Sequence, residues 1–104
     1  MPKTGQSRGK SFEYRVIRYA RALGLPARRI VLSGSADEKL DVEIAGHRFE
    51  CKYRSRGFEE LRGWLEKTLH QGGLGVVVGG GRKEPFVVLR LGDLLRLLCD
   101  RGEW

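Results

Sequence analysis

The stretch LDVEIAGHRFECKYR, residues 40–54, constrains the fold of this chain most tightly. Apolar and polar residues alternate on both sides of Gly46, the period of two that belongs to paired strands. Gly46-His47 suits a two-residue loop, with glycine at the first central position of a type II′ turn. Ala45 then stands opposite Arg48, Glu43 opposite Glu50, and Asp41 opposite Lys52. One face carries Leu40, Val42, Ile44, Phe49, Cys51 and Tyr53 and reads as core, while the other gathers Asp41, Glu43, Ala45, Arg48, Glu50 and Lys52. A one-residue slip would set apolar against charged side chains, so the pattern selects the pairing.

Two readings of the charged face stay open at this level. Glu43 opposite Glu50 is a like-charge pair, and Asp41 lies diagonal to Glu50, about 7–8 Å away at the backbone. A divalent cation relieves both, and hard oxygen ligands suit Mg²⁺ or Mn²⁺. Alternatively the face is solvated, with Asp41–Lys52 a cross-strand ion pair worth a few tenths of a kcal/mol.

The rest of the chain frames that hairpin. Its 104 residues suffice for one compact domain, and 40% hydrophobic with 32% charged residues is the balance of a chain that folds. We expect a basic, mobile arm over residues 1–9 and a single domain over 10–104. KSFEYRVIRYARALGL has helical spacing at Phe12, Val16, Tyr19, Ala20 and Leu23 and is stopped by Gly24 and Pro26. RRIVLS reads as a strand, and FEELRGWLEKTLHQ as a helix stopped by Gly72-Gly73. LGVVVGG has the continuous apolar run of a strand covered on both faces, and FVVLRL is a further strand. Asp93 is the expected N-cap of a last helix, LLRLLCDRG. The order is helix, three strands, helix, two strands, helix, an α/β domain with a mixed central sheet flanked by helices.

Composition limits the function classes. No apolar run is long enough to span a bilayer and the N-terminal residues lack the apolar core of a secretion signal, so a cytoplasmic setting is expected. Cys51 and Cys99 form no CxxC and meet no His at ligand spacing, which speaks against structural zinc. A formal charge of +7 favours a polyanionic partner, nucleic acid above all.

Asp41, an eight-residue gap and then Glu50-Cys51-Lys52 resemble the metal-binding core of the PD-(D/E)xK nuclease superfamily. Within it, RGKSFEYR resembles the first-helix motif of archaeal-type Holliday-junction resolvases, with Arg8 and Gly9 ahead of Glu13. SGSADEKLD resembles their Gly-Ser loop and sets Ser35 on the position of a serine implicated in catalysis. Leu40 stands where the superfamily has proline, and the serine loop is longer than usual. The resemblance implies a restriction-endonuclease-like αβββαββα core and an enzyme that cuts branched DNA. It implies Glu13, Asp41 and Glu50, with the Cys51 carbonyl, as ligands of Mg²⁺ or Mn²⁺. Lys52 would orient or activate the attacking water, and Ser35 would join the catalytic set.

Glu13 also suits a first helical turn for its effect on the helix dipole, but it shares a stripe with Ile17 and Ala20 at the rim of the apolar face. DNA contacts are expected from Lys3, Arg8, Lys10 and Arg15, and from Arg54 and Arg56 just beyond the catalytic strand; Arg28, Arg29, Arg82 and Lys83 read as solvated surface. Glu43 is a neighbour of the ligands, and His47 and His70 are solvated. A four-way junction needs two cuts, so a homodimer is expected, with Leu94, Leu95, Leu97, Leu98, Phe58 and Trp64 as candidate interface groups. The competing classes are another nicking or restriction-type endonuclease of this core and a DNA-binding module that does not cut. Affinity for a DNA junction is predicted to fall linearly in log affinity against log salt, measured by fluorescence anisotropy; a flat response would exclude a phosphate-dominated interface.

Overall fold

The structure is a computed structural model in which residues 5–30 and 41–102 are described, with side chains from Lys10 onward. The elements are α1 (Gly5–Ala22), β1 (Ala27–Arg29), β2 (Val42–Ile44), β3 (His47–Phe49), α2 (Glu59–His70), β4 (Gly75–Val78), β5 (Phe86–Leu89) and α3 (Leu91–Arg101). This is an α/β chain with the expected element order. Its strands form two antiparallel sheets, β1-β2-β3 and β4-β5, and not the expected mixed sheet. Each sheet is built from strands adjacent in sequence, and the hairpin connections of β2–β3 and β4–β5 deliver antiparallel neighbours, whereas a parallel pair needs a long crossover. Two compact units result, Met1–Tyr53 with Leu95–Trp104, and Arg54–Leu94.

In the first unit α1 packs on β1 and β2. Val16, Ile17 and Ala20 bury one stripe of the helix, and Leu25, Ala27, Val42, Ile44, Ala45 and Leu95 complete the core. The stripe is narrower than the sequence suggests, since Tyr19 is half exposed. The helix also begins earlier: residues 5–9, expected in a mobile arm, are helical, because each residue added to an existing helix gains a backbone bond at little cost. At its other end Leu25 N–H returns to the Ala20 carbonyl (3.1 Å) and Gly24 N–H to that of Arg21 (2.9 Å), with Gly24 at φ 86°. These are the paired bonds of a Schellman stop, which requires a left-handed residue where glycine carries no penalty. Arg21 then donates from Nε (3.0 Å) and Nη2 (2.8 Å) to the Ala27 carbonyl, fastening the helix end to β1.

The hairpin has the expected faces and a different register. Val42 pairs with Phe49, Glu43 with Arg48 and Ile44 with His47, so the turn residues are Ala45-Gly46 and not Gly46-His47. Both have positive φ, 51° and 83°, as a type I′ turn demands. The pairing is two residues away from the expected one, which leaves every side chain on its face but changes its partner. An alanine in the left-handed region costs roughly 1–2 kcal/mol. Against that, Glu43 now faces Arg48 in place of Glu50, and Ala45 N–H bonds the Pro26 carbonyl at 2.9 Å. Asp41 N–H donates to the Phe49 carbonyl at 2.9 Å, so Asp41 and Val42 stand together against Phe49 as in a β-bulge.

In the second unit α2 packs on β4 and β5 around buried Leu65. It ends like α1, with Gly73 N–H on the Thr68 carbonyl (2.9 Å) and Gly72 N–H on that of Leu69 (3.0 Å). The strand expected to be covered on both faces is not: Val77 is 74% exposed and its cross-strand neighbour Val87 55%. A two-stranded sheet with one helix has one covered side, which takes the half-buried Val76 and Val88. Asp93 is the third residue of α3 and not its N-cap; its carboxylate accepts from Arg90 Nε at 2.8 Å. A carboxylate in the first turn is favoured by the helix dipole without capping it. Among the described residues no helix is long and apolar enough to cross a membrane.

Two glycines of this unit are predicted to respond oppositely to alanine. A methyl on Gly75 would run into the Leu89 side chain and stand 2.6 Å from the Val88 carbonyl oxygen. Gly75→Ala should therefore destabilise by about 1–3 kcal/mol. Gly63 lies inside α2 with open space around it, and Gly63→Ala should stabilise by about 0.5–1 kcal/mol. Urea unfolding of the two variants checks both signs.

Candidate functional site

Three segments of the first unit carry the acids singled out from the sequence. Glu13 comes from α1, Asp41 from the mouth of β2, and Glu50 from the residue after β3. All three bear on Cys51 through their charge. Its half-buried thiol is pushed from 9.0 up to about 11, first by loss of solvent and then by the negative charges of Asp41, Glu13 and Glu50. Asp41 Oδ2 also accepts the Cys51 backbone N–H at 2.7 Å, which fixes the turn of chain that carries Glu50 and Lys52.

Every acid of the cluster has a partner. Arg29 Nε donates to Glu13 Oε2 at 2.7 Å, and the Glu13 side chain is 14% exposed. That hydrogen bond raises the Arg29 guanidinium above its ordinary value, against the opposing effect of lost hydration. The guanidinium lies 5.4 Å from the centroid of the Tyr14 ring. Lys52 Nζ pairs with Glu50 Oε1 at 3.0 Å; both are exposed. The register difference explains this, since Lys52 is not set across from Asp41 as expected. Glu43 belongs to another group, with Arg28 Nη2 at 2.9 Å and Arg48 Nε at 4.0 Å from its Oε2. The like-charge pair with Glu50 is not formed.

Carboxylate oxygens are donors of the type a hard divalent cation takes. Their present spacing is wider than a coordination sphere: among the described residues no three His, Cys, Asp or Glu side chains stand close enough to hold a metal ion. Ser35 lies outside the described residues, as does the Arg8 side chain. Lys10 and Arg15 are exposed on α1. Arg15 stands 5.4 Å over the Phe12 ring, whose centroid is 5.6 Å from that of Tyr53. Arg54 and Arg56 are exposed in the second unit.

Two features were missed from sequence. Arg28 and Arg29, read together as solvated surface, point to opposite sides of β1 and neutralise different acids. Alternation along RRI carried that signal, since neighbouring strand residues cannot share a face. The Phe12–Tyr53 contact had no local signal.

Compared with known proteins, the chain matches no family model, no curated protein and no solved structure.

The Cys51 thiol yields a prediction with a definite sign. The folded chain holds this proton more tightly than the unfolded one, so the contribution is intact below pH 9 and is lost as pH rises from 9 toward 11. Urea unfolding across that range should show wild type losing stability faster than Cys51→Ala; parallel slopes would mean that the thiol is not perturbed.

Proposed function

We propose that the chain is a metal-dependent, structure-selective DNA endonuclease that resolves four-way junctions by paired symmetric nicks, like the archaeal-type Holliday-junction resolvases it resembles. The observation that carries this is the Asp41 carboxylate bonded to the Cys51 N–H at 2.7 Å, which sets Asp41 beside the segment that bears Glu50 and Lys52. The αβββαββα order supports a nuclease core of the restriction-endonuclease-like type, with Glu13 on its first helix, Asp41 just before its second strand and Glu50 just after its third. The setting proposed is cytoplasmic.

In this reading Glu13, Asp41 and Glu50, with the Cys51 carbonyl, would hold Mg²⁺ or Mn²⁺. When bound, such an ion lowers the pKa of a coordinated water and neutralises charge on the phosphate. The chain's own contribution is to position. Asp41, bonded to the Cys51 N–H, fixes the segment from which Glu50 and Lys52 project. Lys52 exchanges its contact with Glu50 for the attacking water or a phosphate oxygen. Arg8, Lys10 and Arg15 on α1, with Arg54 and Arg56, neutralise phosphates flanking the cut. Ser35 completes the catalytic set. Two copies related by a two-fold axis would present two such sites to the two strands of a junction.

One observation favours a second reading, a DNA-binding module that does not cut: each acid already has a partner, Arg29 for Glu13, the Cys51 amide for Asp41 and Lys52 for Glu50. A nicking or restriction-type nuclease with the same core is the nearer alternative.

Cleavage of end-labelled four-way junction and linear duplex, with Mg²⁺, Mn²⁺ or chelator, separates these. Wild type should cut the junction alone and only with metal. Asp41→Asn and Lys52→Ala should each lose activity by on the order of 100-fold while still binding DNA. Equal cutting of both substrates would overturn junction selectivity, and binding with no cut under any metal would leave the non-cleaving module. Sedimentation at the assay concentration should give the mass of a dimer.

A further inference from the structure

We propose that the solvent face of α1, together with Tyr53, is a stacking surface for unpaired bases of a single-stranded DNA segment: Tyr19 and Tyr53 meet the bases, and Arg15 and Arg18 the phosphates. The proposal rests on the reading of the chain as a DNA-binding protein, and needs neither a metal ion nor cleavage.

The helix sorts its residues by charge. Val16, Ile17 and Ala20 go to the core, and Glu13, the only acid of α1, is turned to Arg29 and largely enclosed. The opposite face shows Lys10, Tyr14, Arg15, Arg18 and Tyr19 to solvent. Among the described residues neither Arg15 nor Arg18 forms an ion pair. A helix face that serves solubility alone intersperses both signs, whereas this one complements a polyanion. Arg15 and Tyr19, like Tyr14 and Arg18, are four residues apart and therefore neighbours on the helix surface.

The rings specify which polyanion. Tyr19 is 49% exposed and Tyr53 46%. Aromatic side chains lose rotamer freedom in a helix, so Tyr19 is a poor choice for a position that only has to be wet. Tyr53 is braced from behind by Phe12, ring centroid to ring centroid 5.6 Å, and Arg15 stands 5.4 Å over Phe12. Arg15 therefore links Tyr19, one turn further along, to the Phe12–Tyr53 pair in a run of rings and charge. Phe12 and Tyr19 are separated by roughly 10 Å along the helix, so the two ends of the run can take separate bases. Rings stack on any base and guanidinium groups between them neutralise phosphates, the combination that holds single strands without regard to sequence. Tyr14 is left out of the base-contacting set, since Arg29 already lies against its ring. A membrane surface fits less well, because Ala22 is the only aliphatic residue exposed on α1 from Lys10 onward.

Fluorescence anisotropy of the full chain, in chelator, with an oligothymidylate strand, an abasic strand of equal length and a linear duplex tests this. Wild type should bind the thymidylate strand about tenfold more tightly than the abasic one. Tyr19→Leu and Tyr53→Leu should each weaken thymidylate binding by about tenfold without changing duplex affinity or salt dependence, and Tyr19→Phe, which keeps the ring, should restore the loss. Arg15→Gln and Arg18→Gln should weaken binding to both single strands and make the slope of log affinity against log salt shallower by about 0.7 each. Equal wild-type affinity for thymidylate and abasic strands, or leucine variants that bind thymidylate as wild type does, would overturn the proposal and leave the DNA reading standing. If wild type binds none of the three DNAs, the DNA reading falls and the proposal with it. Binding to phosphatidylserine vesicles in preference to every DNA would overturn it in favour of a membrane. Should a leucine variant fail to fold, ultraviolet crosslinking of wild type to a strand bearing iodouracil decides: adducts on Tyr19 or Tyr53 are expected, and adducts confined to other residues would exclude the assignment.

Discussion

A backbone φ of 51° at Ala45, followed by 83° at Gly46, closes the β2–β3 hairpin in two residues, and the placement of the acidic cluster depends on where that closure falls. Ala45 is the one non-glycine residue with positive φ among those described. It is held on both sides, by the turn it opens and by the bond from its N–H to Pro26. With the turn in this position Glu43 meets Arg48, and the ladder reaches Asp41 with an extra residue opposite Phe49. Asp41 is thereby brought to the Cys51 amide. The strain at one alanine is offset by removal of a carboxylate pair and by a satisfied backbone donor.

The electrostatics of the first unit follow from sheet alternation. Arg28 and Glu43 stand on one face, with Arg48 next in line across the sheet. Arg29 lies on the other side, where α1 brings Glu13. Adjacent residues of one short strand thus serve separate ion pairs, one more exposed than the other. The solvated group contributes little beyond sheet pairing. The enclosed group is different, because an acid there cannot rely on water for its counter-charge. Each of these acids has a partner of its own, Arg29 for Glu13, the Cys51 amide for Asp41 and Lys52 for Glu50.

Much of this was legible in the sequence, and the parts that were not share a cause. Helix ends at Gly24 and Gly72, the element order and the core face of the hairpin follow from local pattern and from residues that tolerate few conformations. The hairpin register does not, because period-two alternation rejects a slip of one residue and is blind to a slip of two. The choice between Ala45-Gly46 and Gly46-His47 was made by partners distant in sequence, Pro26 and Arg48. Motif resemblance singled out Glu13, Asp41 and Glu50 but gave no sign of their partners, since Arg29 lies sixteen residues from Glu13 and carries no mark distinguishing it from Arg28. The mixed sheet failed for a related reason: element order does not say which strands pair.

The fastening of α1 at its C-terminal end has a consequence for how the cluster is located. The Schellman bonds at Gly24 and the two Arg21 bonds to Ala27 tie that end of the helix to β1, and Glu13 lies nine residues back from Ala22. At 1.5 Å per residue, roughly 13 Å of rigid rod separates the carboxylate from its anchorage. Glu13 is therefore surveyed from downstream, like a mark on a ruler clamped at its far end. Residues 5–12 extend past the mark, and changes among them alter the overhang without moving the graduation that matters.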